Sequence, residues 1–370
     1  MSKLEELIQQ YCPDGVVWKT LAEVCDIHKG VQFNKTDMKE AGTYPVINGG
    51  INPSGYAEVF NEEKDTITIS QGGASAGYVN FLRKKFWLGA HCYAVIPYDT
   101  VLNKYLYHFI KMNEVTLQQC QYGAGIPALA KSTISSLEIP VPPLPVQEEI
   151  VRILDNFTEL QAELQAELQK RKLQYNYYLD NLLKFNRGGY QAEVRWMKMN
   201  EVAQVCRGTR VVKSQLSNKG YPVYQNCLTP MGYYDKANCK GGTPFVICGG
   251  AAGNVGYSIV DYWAADDCEY IVSGSEVCNK YLYYYLMTKQ DYLSSQVRKA
   301  SVPRLSPIVI KDLVIPIPSL DEQQRIVSIL DRFDRLTNDL TSGLPAEIEK
   351  RRQQYEYYRD KLLTFKRKAA

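Results

Sequence analysis

The sequence contains no run of 18 or more apolar residues, although 45% of its 370 residues are hydrophobic. A membrane-spanning helix needs about 20 such residues in a row, so this class of protein is excluded. The N-terminal stretch MSKLEELIQQY also lacks the apolar core of a signal peptide. We therefore expect a cytoplasmic protein that has no membrane partner.

Paired metal ligands are also missing from the chain. None of its ten cysteines forms a CxxC pair, and it has only three histidines. Structural zinc sites need such pairs, and disulfide frameworks belong to secreted chains. Cys92 and Cys268 occupy equivalent places in two apolar runs, so we expect buried, reduced thiols there. The sequence predicts neither a metal site nor disulfides.

What the chain does contain is a long internal repeat. The segment LEIPVPPLPVQEEIVRILDNF returns as LVIPIPSLDEQQRIVSILDRF, and KRKLQYNYYLDNLLKF returns as KRRQQYEYYRDKLLTF. Many matching residues lie 176 positions apart, among them Trp87 and Trp263, and Pro140 and Pro316. A repeat of this length is a domain with its connector, and it predicts a pseudo-symmetric molecule with two similar sites.

Each copy begins with a globular part that is mostly β. Short β-branched runs such as DTITIS and CYAVIP are separated by Gly, Asn and Ser, and NKYLYHFIKM and NKYLYYYLMTK each predict a helix. Strands and helices do not alternate regularly, which argues against a doubly wound fold. We predict α+β domains at 1–145 and 188–320, each ended by a proline-rich extended hinge.

The second part of each copy, at 146–187 and 321–370, is a long helical region. Apolar residues recur there at spacings of three, four and seven, and the resulting stripe is too narrow to bury itself. Residues 147–167 carry six acids and one base, whereas 170–187 carry five bases and one acid, and the second copy repeats this polarity. Antiparallel pairing brings the unlike halves together.

The predicted fold class is therefore α+β, with two pseudo-symmetric domains separated by a pair of long antiparallel coiled-coil helices. The residues predicted at the helix interface are Ile150, Leu154, Phe157, Leu160, Leu164, Leu168, Ile326, Leu330, Phe333, Leu336, Leu340 and Ile348. The tyrosines of YNYY and YEYY lie at helical spacing beside this stripe, which favours packing over base stacking.

Three motifs point to a known family. They are the hinge IPVPPLPVQ at 139–147, which returns loosely at 315–323, the repeat TELQAELQAELQ at 158–169, and the closing GLPAEIEKRRQQYEYYRDKLLTF. On these residues the chain resembles, over essentially its whole length, the DNA-specificity subunit of type I restriction–modification systems. Its repeat unit is AELQ, where the family has TAEL.

The resemblance implies that the domains and the helices have different functions. Two target-recognition domains each read one half of an asymmetric, two-part site in double-stranded DNA. The helices set the distance between the half-sites and dock two methyltransferase (modification) subunits. Whether restriction (motor and nuclease) subunits join is left open, and so is the DNA sequence read, because the recognition domains are the variable part of the family.

Candidate DNA contacts come from Arg, Lys, Asn, Gln and Tyr in four regions, three of which recur in both copies. The residues are Lys29, Gln32, Lys35, Gln71, Lys84, Lys85, Tyr122, Lys131, Arg207, Arg210, Lys213, Asn254, Arg298, Lys299 and Arg304. Solvated surface charges and ordinary hairpins are the alternative interpretations. The net charge is only +3, and residues 1–145 carry 12 basic and 14 acidic side chains. A local basic surface or a partner must therefore supply the positive potential that attracts DNA.

Catalytic motifs are missing. No GxxxxGK[ST] loop for ATP is present, and NPSG at 52–55 lacks the second proline and the aromatic residue of an NPPY-type methyltransferase loop. We predict a non-catalytic subunit that binds no cofactor, with S-adenosylmethionine, ATP and Mg expected on partner subunits. Two alternatives remain open: a stand-alone methyltransferase with duplicated domains, and a structural tether whose domains both bind protein.

Overall fold

A computed structural model describes residues 2–123, 125–185, 194–299 and 301–368. The chain divides into two compact units. Unit 1 comprises Met1–Gln165 and Ile348–Ala370, and unit 2 comprises Ala166–Glu347. Among the described residues, no helix is both long and apolar enough to cross a membrane.

The described part of unit 1 contains nine strands and the helices that cover them. Its elements are α1 (Lys3–Tyr11), β1 (Val17–Thr20), α2 (Leu21–Val24), β2 (Cys25–Lys29), β3 (Tyr44–Ile47), β4 (Gly55–Ala57), β5 (Thr66–Ser70), β6 (Val79–Leu82), β7 (Trp87–Leu88), β8 (Cys92–Pro97), α3 (Asn103–Met112), α4 (Glu114–Gln119), α5 (Lys131–Ser135), β9 (Glu138–Val141) and the first part of α6 (Leu144–Leu182). The predicted helix NKYLYHFIKM is α3, residue for residue.

The strands of unit 1 form three small sheets. The largest has the order β2-β8-β5-β6 and is antiparallel throughout, β4-β3-β7 combines an antiparallel and a parallel pair, and β9 pairs with β1. The central strand β5 has the sequence TITIS and is buried at every residue. Its β-branched side chains suit a sheet that is covered on both faces.

Unit 2 repeats this arrangement strand for strand. Its elements are β10 (Arg195–Lys198), α7 (Met199–Val202), β11 (Ala203–Arg207), β12 (Tyr221–Tyr224), β13 (Tyr233–Tyr234), β14 (Pro244–Ile247), β15 (Val255–Tyr257), β16 (Trp263–Ala264), β17 (Cys268–Ser273), α8 (Asn279–Thr288), α9 (Gln290–Ser295), α10 (Pro307–Lys311), β18 (Val314–Ile317) and α11 (Leu320–Asn338). The sheet orders are β11-β17-β14-β15, β13-β12-β16 and β10-β18. The predicted duplication of an α+β domain is confirmed.

A buried glutamine joins each hinge to its domain. Gln147 is fully buried; its Nε2 donates to the carbonyl oxygens of Thr100 (3.0 Å) and Pro142 (2.7 Å), and its Oε1 accepts from the N–H of Leu102 (2.8 Å). Leu102 is the residue before α3, where a helix has free N–H groups. Gln323 makes the same three bonds in unit 2. The motif's glutamine therefore fixes where the long helix leaves the domain.

A pair of helices packs on the domain in each unit. Helix α6 begins in unit 1 and ends in unit 2, and α12 (Leu344–Leu362) also crosses the division. In unit 1 the rings of Phe157 and Tyr358 stack with centroids 5.3 Å apart, and in unit 2 Tyr178 stacks on Phe333 at 5.1 Å. In both units an acidic half-helix therefore pairs with a basic one, as the charge polarity predicts.

The residues predicted at the helix interface are buried to different degrees. Ile150, Leu154, Ile326 and Leu330 are fully buried and Leu168 nearly so. Phe157, Leu160, Leu164, Phe333 and Ile348 are partly buried, and Leu336 is exposed. Leu340 was expected in the interface but is 79% exposed, because α11 ends at Asn338 and leaves it in the following turn.

Gly343 and Pro345 lie at the break between α11, which ends at Asn338, and α12, which starts at Leu344. A Cβ added to Gly343 would lie 2.5 Å from the carbonyl oxygen of Arg335, so only glycine fits there. The chain resumes as a helix at Leu344, with proline in its first turn. The predicted domain boundaries at 145 and 320 fall next to the starts of α6 and α11, and the one at 187 lies outside the described residues.

Candidate nucleic-acid interface

In unit 1, four chain segments meet at one end of the four-stranded sheet. Lys29, the last residue of β2, is the register partner of Tyr93 on β8. The N–H of Gln71, just after β5, donates to the carbonyl of His91 (2.8 Å), and the carbonyl of Gln71 accepts from Leu129 (2.7 Å). Residues that are distant in sequence thus share one site.

A short hairpin borders this end of the sheet. Tyr122 and Ala128 exchange two backbone hydrogen bonds of 2.9 Å, and Gly73 donates to the carbonyl of Pro127 (2.9 Å). The hairpin leaves the Tyr122 side chain 57% exposed. An exposed aromatic ring therefore borders this end of the sheet.

Unit 2 has the same backbone frame. Arg207, the last residue of β11, is the register partner of Glu269 on β17. The N–H of Cys248 donates to the carbonyl of Asp267 (2.7 Å), and the carbonyl of Cys248 accepts from Leu305 (2.9 Å). The hairpin is present too, since Arg298 donates to the carbonyl of Arg304 (2.8 Å) and accepts from its N–H (3.2 Å).

The side chains on this common frame differ between the units. We call the site the variable end. It comprises Lys29, Gln71, Tyr93 and Tyr122 in unit 1, and Arg207, Cys248, Glu269 and Arg298 in unit 2. Because backbone bonds build the frame, its side chains can change without loss of the fold. Two such ends can therefore recognise two different ligands.

The glycines beside the variable end serve the frame itself. An added Cβ would lie 2.4 Å from the carbonyl oxygen of Leu88 at Gly30, and 2.1 Å from that of Ala265 at Gly208. These glycines allow the chain to cross closely over a neighbouring backbone.

Unit 2 concentrates positive charge at its variable end. The exposed side chains of Arg207, Arg298 and Arg304 line a cavity of about 340 Å³. Arg304 Nη1 lies 2.9 Å from Asp267 Oδ1. Within the described residues, Arg298 has no acidic partner. An unpaired arginine on the rim of a cleft is well suited to bind the acceptor groups of a nucleic acid.

The lysines of the RKK turn, Lys84 and Lys85, lie at the other end of the sheet. The turn follows β6, whose last residue is opposite Thr66, whereas the variable end follows Ser70. Five residues of strand separate the two by about 16 Å. Lys85 is also engaged, with Nζ 2.9 Å from Glu63 and 4.2 Å from the centre of the Phe60 ring.

The remaining candidates lie on segments that adjoin the variable ends. In unit 1, Gln32 and Lys35 follow β2, and Lys131 opens α5; in unit 2, Arg210 and Lys213 follow β11, and Lys299 is in the hairpin. All six side chains are exposed. Asn254 is equivalent to Tyr78, because the N–H of Ile247 donates to its carbonyl oxygen (2.9 Å) as that of Ser70 does to the carbonyl oxygen of Tyr78 (2.9 Å).

Comparison with known proteins identifies the duplicated domain. The family model of the type I restriction modification DNA specificity domain matches residues 13–171 and again residues 192–350. The chain belongs to the type I restriction–modification DNA specificity family. The resemblance drawn from the hinge and repeat motifs is thereby confirmed.

Individual members of the specificity family match over nearly the whole chain. The Haemophilus influenzae protein S.HindORF215P is 31% identical over 393 residues, covering 98% of this chain and 98% of its own. The specificity subunit of the Escherichia coli enzyme EcoR124I/EcoR124II is 30% identical over 404 residues, covering 99% and 97%. A solved S subunit from M. genitalium, 20% identical, covers 94% of this chain and 96% of its own with a TM-score of 0.72, which shows the same fold.

Sequence reasoning missed the two residues at the centre of the variable ends. Tyr93 and Glu269 are each about 95% buried, with exposures of 5% and 4%. Burial raises the pKa of both side chains, although Arg207 and Lys311 act in the opposite direction on Glu269. A signal was available: CEYIVS places an acid inside a buried strand where CYAVIP has tyrosine. An acid is rare in such a position unless it is paired or functional.

Proposed function

We propose that this chain is the DNA-specificity subunit of a type I restriction–modification enzyme, and that each unit reads one half of an asymmetric, two-part site in double-stranded DNA. The supporting observation is the variable end. One set of backbone hydrogen bonds carries lysine and tyrosine in unit 1 and arginine and glutamate in unit 2. Two readers with one scaffold and different side chains suit a target whose halves differ.

The helices are proposed to set the spacing of the half-sites. Helix α6 has 39 residues, which correspond to about 58 Å of helix. Its AELQ repeats at 158–169 are uninterrupted, so a repeat can be gained or lost without a break in the helix. Each repeat of four residues adds ~6 Å to the length of the helix, which is close to two base-pair steps of duplex.

The helices are also proposed to dock two methyltransferase subunits. Tyr177 and Tyr357 are equivalent in the repeat, and they are 64% and 62% exposed. Their neighbours are used inside the protein: Tyr175 and Tyr355 are buried. An exposed tyrosine at the same place in both copies indicates two equivalent surfaces for two copies of one partner.

Catalysis is proposed to reside in the partners. The sequence carries no NPPY-type loop and no GxxxxGK[ST] motif, so S-adenosylmethionine, ATP and Mg are assigned to the modification and restriction subunits. Because its DNA substrate is chromosomal, we infer a cytoplasmic location for the complex.

Methylome sequencing tests the proposal directly. The chain is expressed with its neighbouring modification gene in a host that lacks such systems, and a second culture expresses the modification gene alone. We expect a two-part methylated motif that appears only when this chain is present. No new methylation, with the modification subunit shown to be active and bound, would favour a protein tether instead.

A further inference from the structure

Glu269 occupies an unusual position for an acid. It lies within β17, between β11 and β14 in the four-stranded sheet of unit 2, and only 4% of it is exposed. A buried carboxylate normally has hydrogen-bond donors around it, because its desolvation is costly. Across the described part of the chain, no hydrogen bond or ion pair to the Glu269 carboxylate is found. Its oxygens are not among the fully enclosed polar atoms that lack a partner, so they keep access to the cavity that Glu269 lines.

The carboxylate lines the cavity at the variable end. Gln296, the three arginines and a second acid, Asp266, line the same cavity of about 340 Å³. Burial raises the pKa of Glu269 in spite of the nearby charges of Arg207 and Lys311, so the protein itself does not satisfy the carboxylate. A donor that enters the cavity from outside would supply what is missing.

The arrangement of charge selects the kind of ligand. An arginine rim attracts DNA, but a phosphate that entered the cavity would meet the carboxylate of Glu269. A base edge can present a donor and acceptors side by side. In the major groove, a C·G pair offers the N4 amino group of cytosine next to the O6 and N7 acceptors of guanine. Glutamate beside arginine is the complement of that pattern.

Unit 1 shows that this chemistry is not needed by the fold. The equivalent residue is Tyr93, whose hydroxyl donates to the carbonyl oxygen of Leu129 (3.4 Å). Its polar group therefore already has a partner within the protein. The same backbone frame therefore accepts a tyrosine whose hydroxyl is hydrogen-bonded within the protein. The acid in unit 2 thus serves a purpose other than stability.

We propose that Glu269 is a specificity-determining residue of unit 2: its carboxylate accepts a hydrogen bond from the N4 amino group of a cytosine, and Arg298 donates to the guanine paired with it. This inference rests on the proposed function. It predicts that the half-site read by unit 2 contains at least one C·G pair, and that Glu269 and Arg298 decide its identity.

The test uses the full chain in complex with its methyltransferase subunits. Methyl transfer is measured on duplex oligonucleotides that carry the wild-type motif, with each base pair of both half-sites replaced in turn. For the wild type, replacing the C·G pair should lower methylation about 10- to 100-fold. In Glu269→Leu this preference should disappear, while the preferences in the other half-site stay unchanged.

The unfolding temperature distinguishes a role of Glu269 in base recognition from a role in the stability of the fold. Glu269→Leu removes an acid whose charged form is disfavoured by burial, so its unfolding temperature should equal or exceed that of the wild type. Glu276→Gln is the matched control, because Glu276 is an exposed acid of the same unit, paired with Arg195 and outside the cavity. It should change neither stability nor preference. If Glu269→Leu fails to assemble, Arg298→Leu on the exposed rim provides the same comparison.

The outcomes distinguish this inference from the proposed function. If the wild-type complex methylates a two-part site and Glu269→Leu and Arg298→Leu keep every preference, the inference is wrong and the proposed function stands. A wild-type motif with no C·G pair in the half assigned to unit 2 also overturns it. A wild-type complex that methylates no two-part site contradicts the proposed function itself.

Discussion

At the scale of single residues, buried polar side chains connect the domains to the helices. In unit 1, His108 Nδ1 lies 2.9 Å from the hydroxyl of Tyr355 on α12, and its Nε2 lies 3.2 Å from Asp155 on α6. One imidazole thus joins α3 to both helices. Unit 2 has tyrosine at this place, since Tyr284 donates to Asp331. The common partner is a carboxylate on the helix that follows each hinge, Asp155 on α6 and Asp331 on α11.

The first prediction concerns Asp155. Burial acts to raise its pKa, but hydrogen bonds from His108 and Lys104 outweigh burial and lower it. A lowered folded-state pKa means that the carboxylate stabilises the fold above its unfolded pKa, about 3.9, and that this contribution is lost as the pH falls. Asp155→Asn should therefore cost about 1–2 kcal/mol at pH 7 and progressively less below about pH 4.

Thermal unfolding of the full chain between pH 7 and pH 3.5 measures this effect. Asp180→Asn, an exposed acid on the same helix, is the control and should be neutral. A destabilisation by Asp155→Asn that is the same at every pH would show that the charge of Asp155 is irrelevant.

The second prediction concerns the buried glutamine of the hinge. Gln147→Ala would leave two carbonyl oxygens and the N–H of Leu102 without partners in a dry site. The cost is expected to be about 1–3 kcal/mol. Denaturant unfolding of the full chain measures it, with Gln169→Ala on an exposed face of α6 as the control. Equal midpoints for the two variants would contradict the role assigned to Gln147.

At the scale of elements, the long helix combines a periodic sequence with a periodic structure. Each AELQ unit adds four residues, which extend the helix by ~6 Å and rotate it by only about 40° beyond a full turn. The apolar stripe therefore nearly keeps its face when a unit is added. A single-residue insertion adds ~1.5 Å but rotates everything after it by about 100°, which moves the stripe away from its partner helix.

The third prediction follows from this geometry. One AELQ inserted after Gln169 should lengthen the spacer of the methylated motif by one or two base pairs, from ~6 Å of added helix against ~3.4 Å per step. One alanine inserted at the same place should instead reduce or abolish methylation. Methylome sequencing of both strains gives the answer, and an unchanged spacer in the first strain would refute the role of the helix as a ruler.

At the scale of the whole molecule, the duplication gives the chain two copies of each kind of site. Each unit has its own variable end, its own hinge glutamine and its own exposed tyrosine on a long helix. A partner that binds one copy should bind the other, because the surfaces derive from the same sequence pattern. The two variable ends do not share that equivalence, since their side chains differ.

The fourth prediction concerns the number of partners. Tyr177→Glu or Tyr357→Glu alone should remove one methyltransferase subunit from the complex, and the double variant should remove both. Native mass spectrometry of the assembled complex counts the subunits. Tyr292→Glu, at an exposed tyrosine on α9, is the control. Complexes with two subunits in every variant would show that the docking surface lies elsewhere.

Much of this protein follows from sequence alone, for a physical reason. Helix α3, the long helix α6 and the break before α12 are local structures, which depend on apolar periodicity, capping residues, glycine and proline within a few turns. Internal duplication is visible without any structure, and it carries the α+β fold class and the membership of the specificity family.

Only the tertiary structure decided which residues meet at the variable end. Lys29, Gln71, Tyr93 and Tyr122 come together because the sheet order β2-β8-β5-β6 differs from the chain order. The hydrophobic pattern of a sequence indicates that a strand is buried, but it does not indicate which strand lies beside it or in which register the two pair. Lys84, Lys85 and Gln71 were therefore all predicted as DNA contacts, although the RKK turn and Gln71 lie at opposite ends of β5. Glu269 was overlooked because its importance depends on neighbours that are distant in sequence.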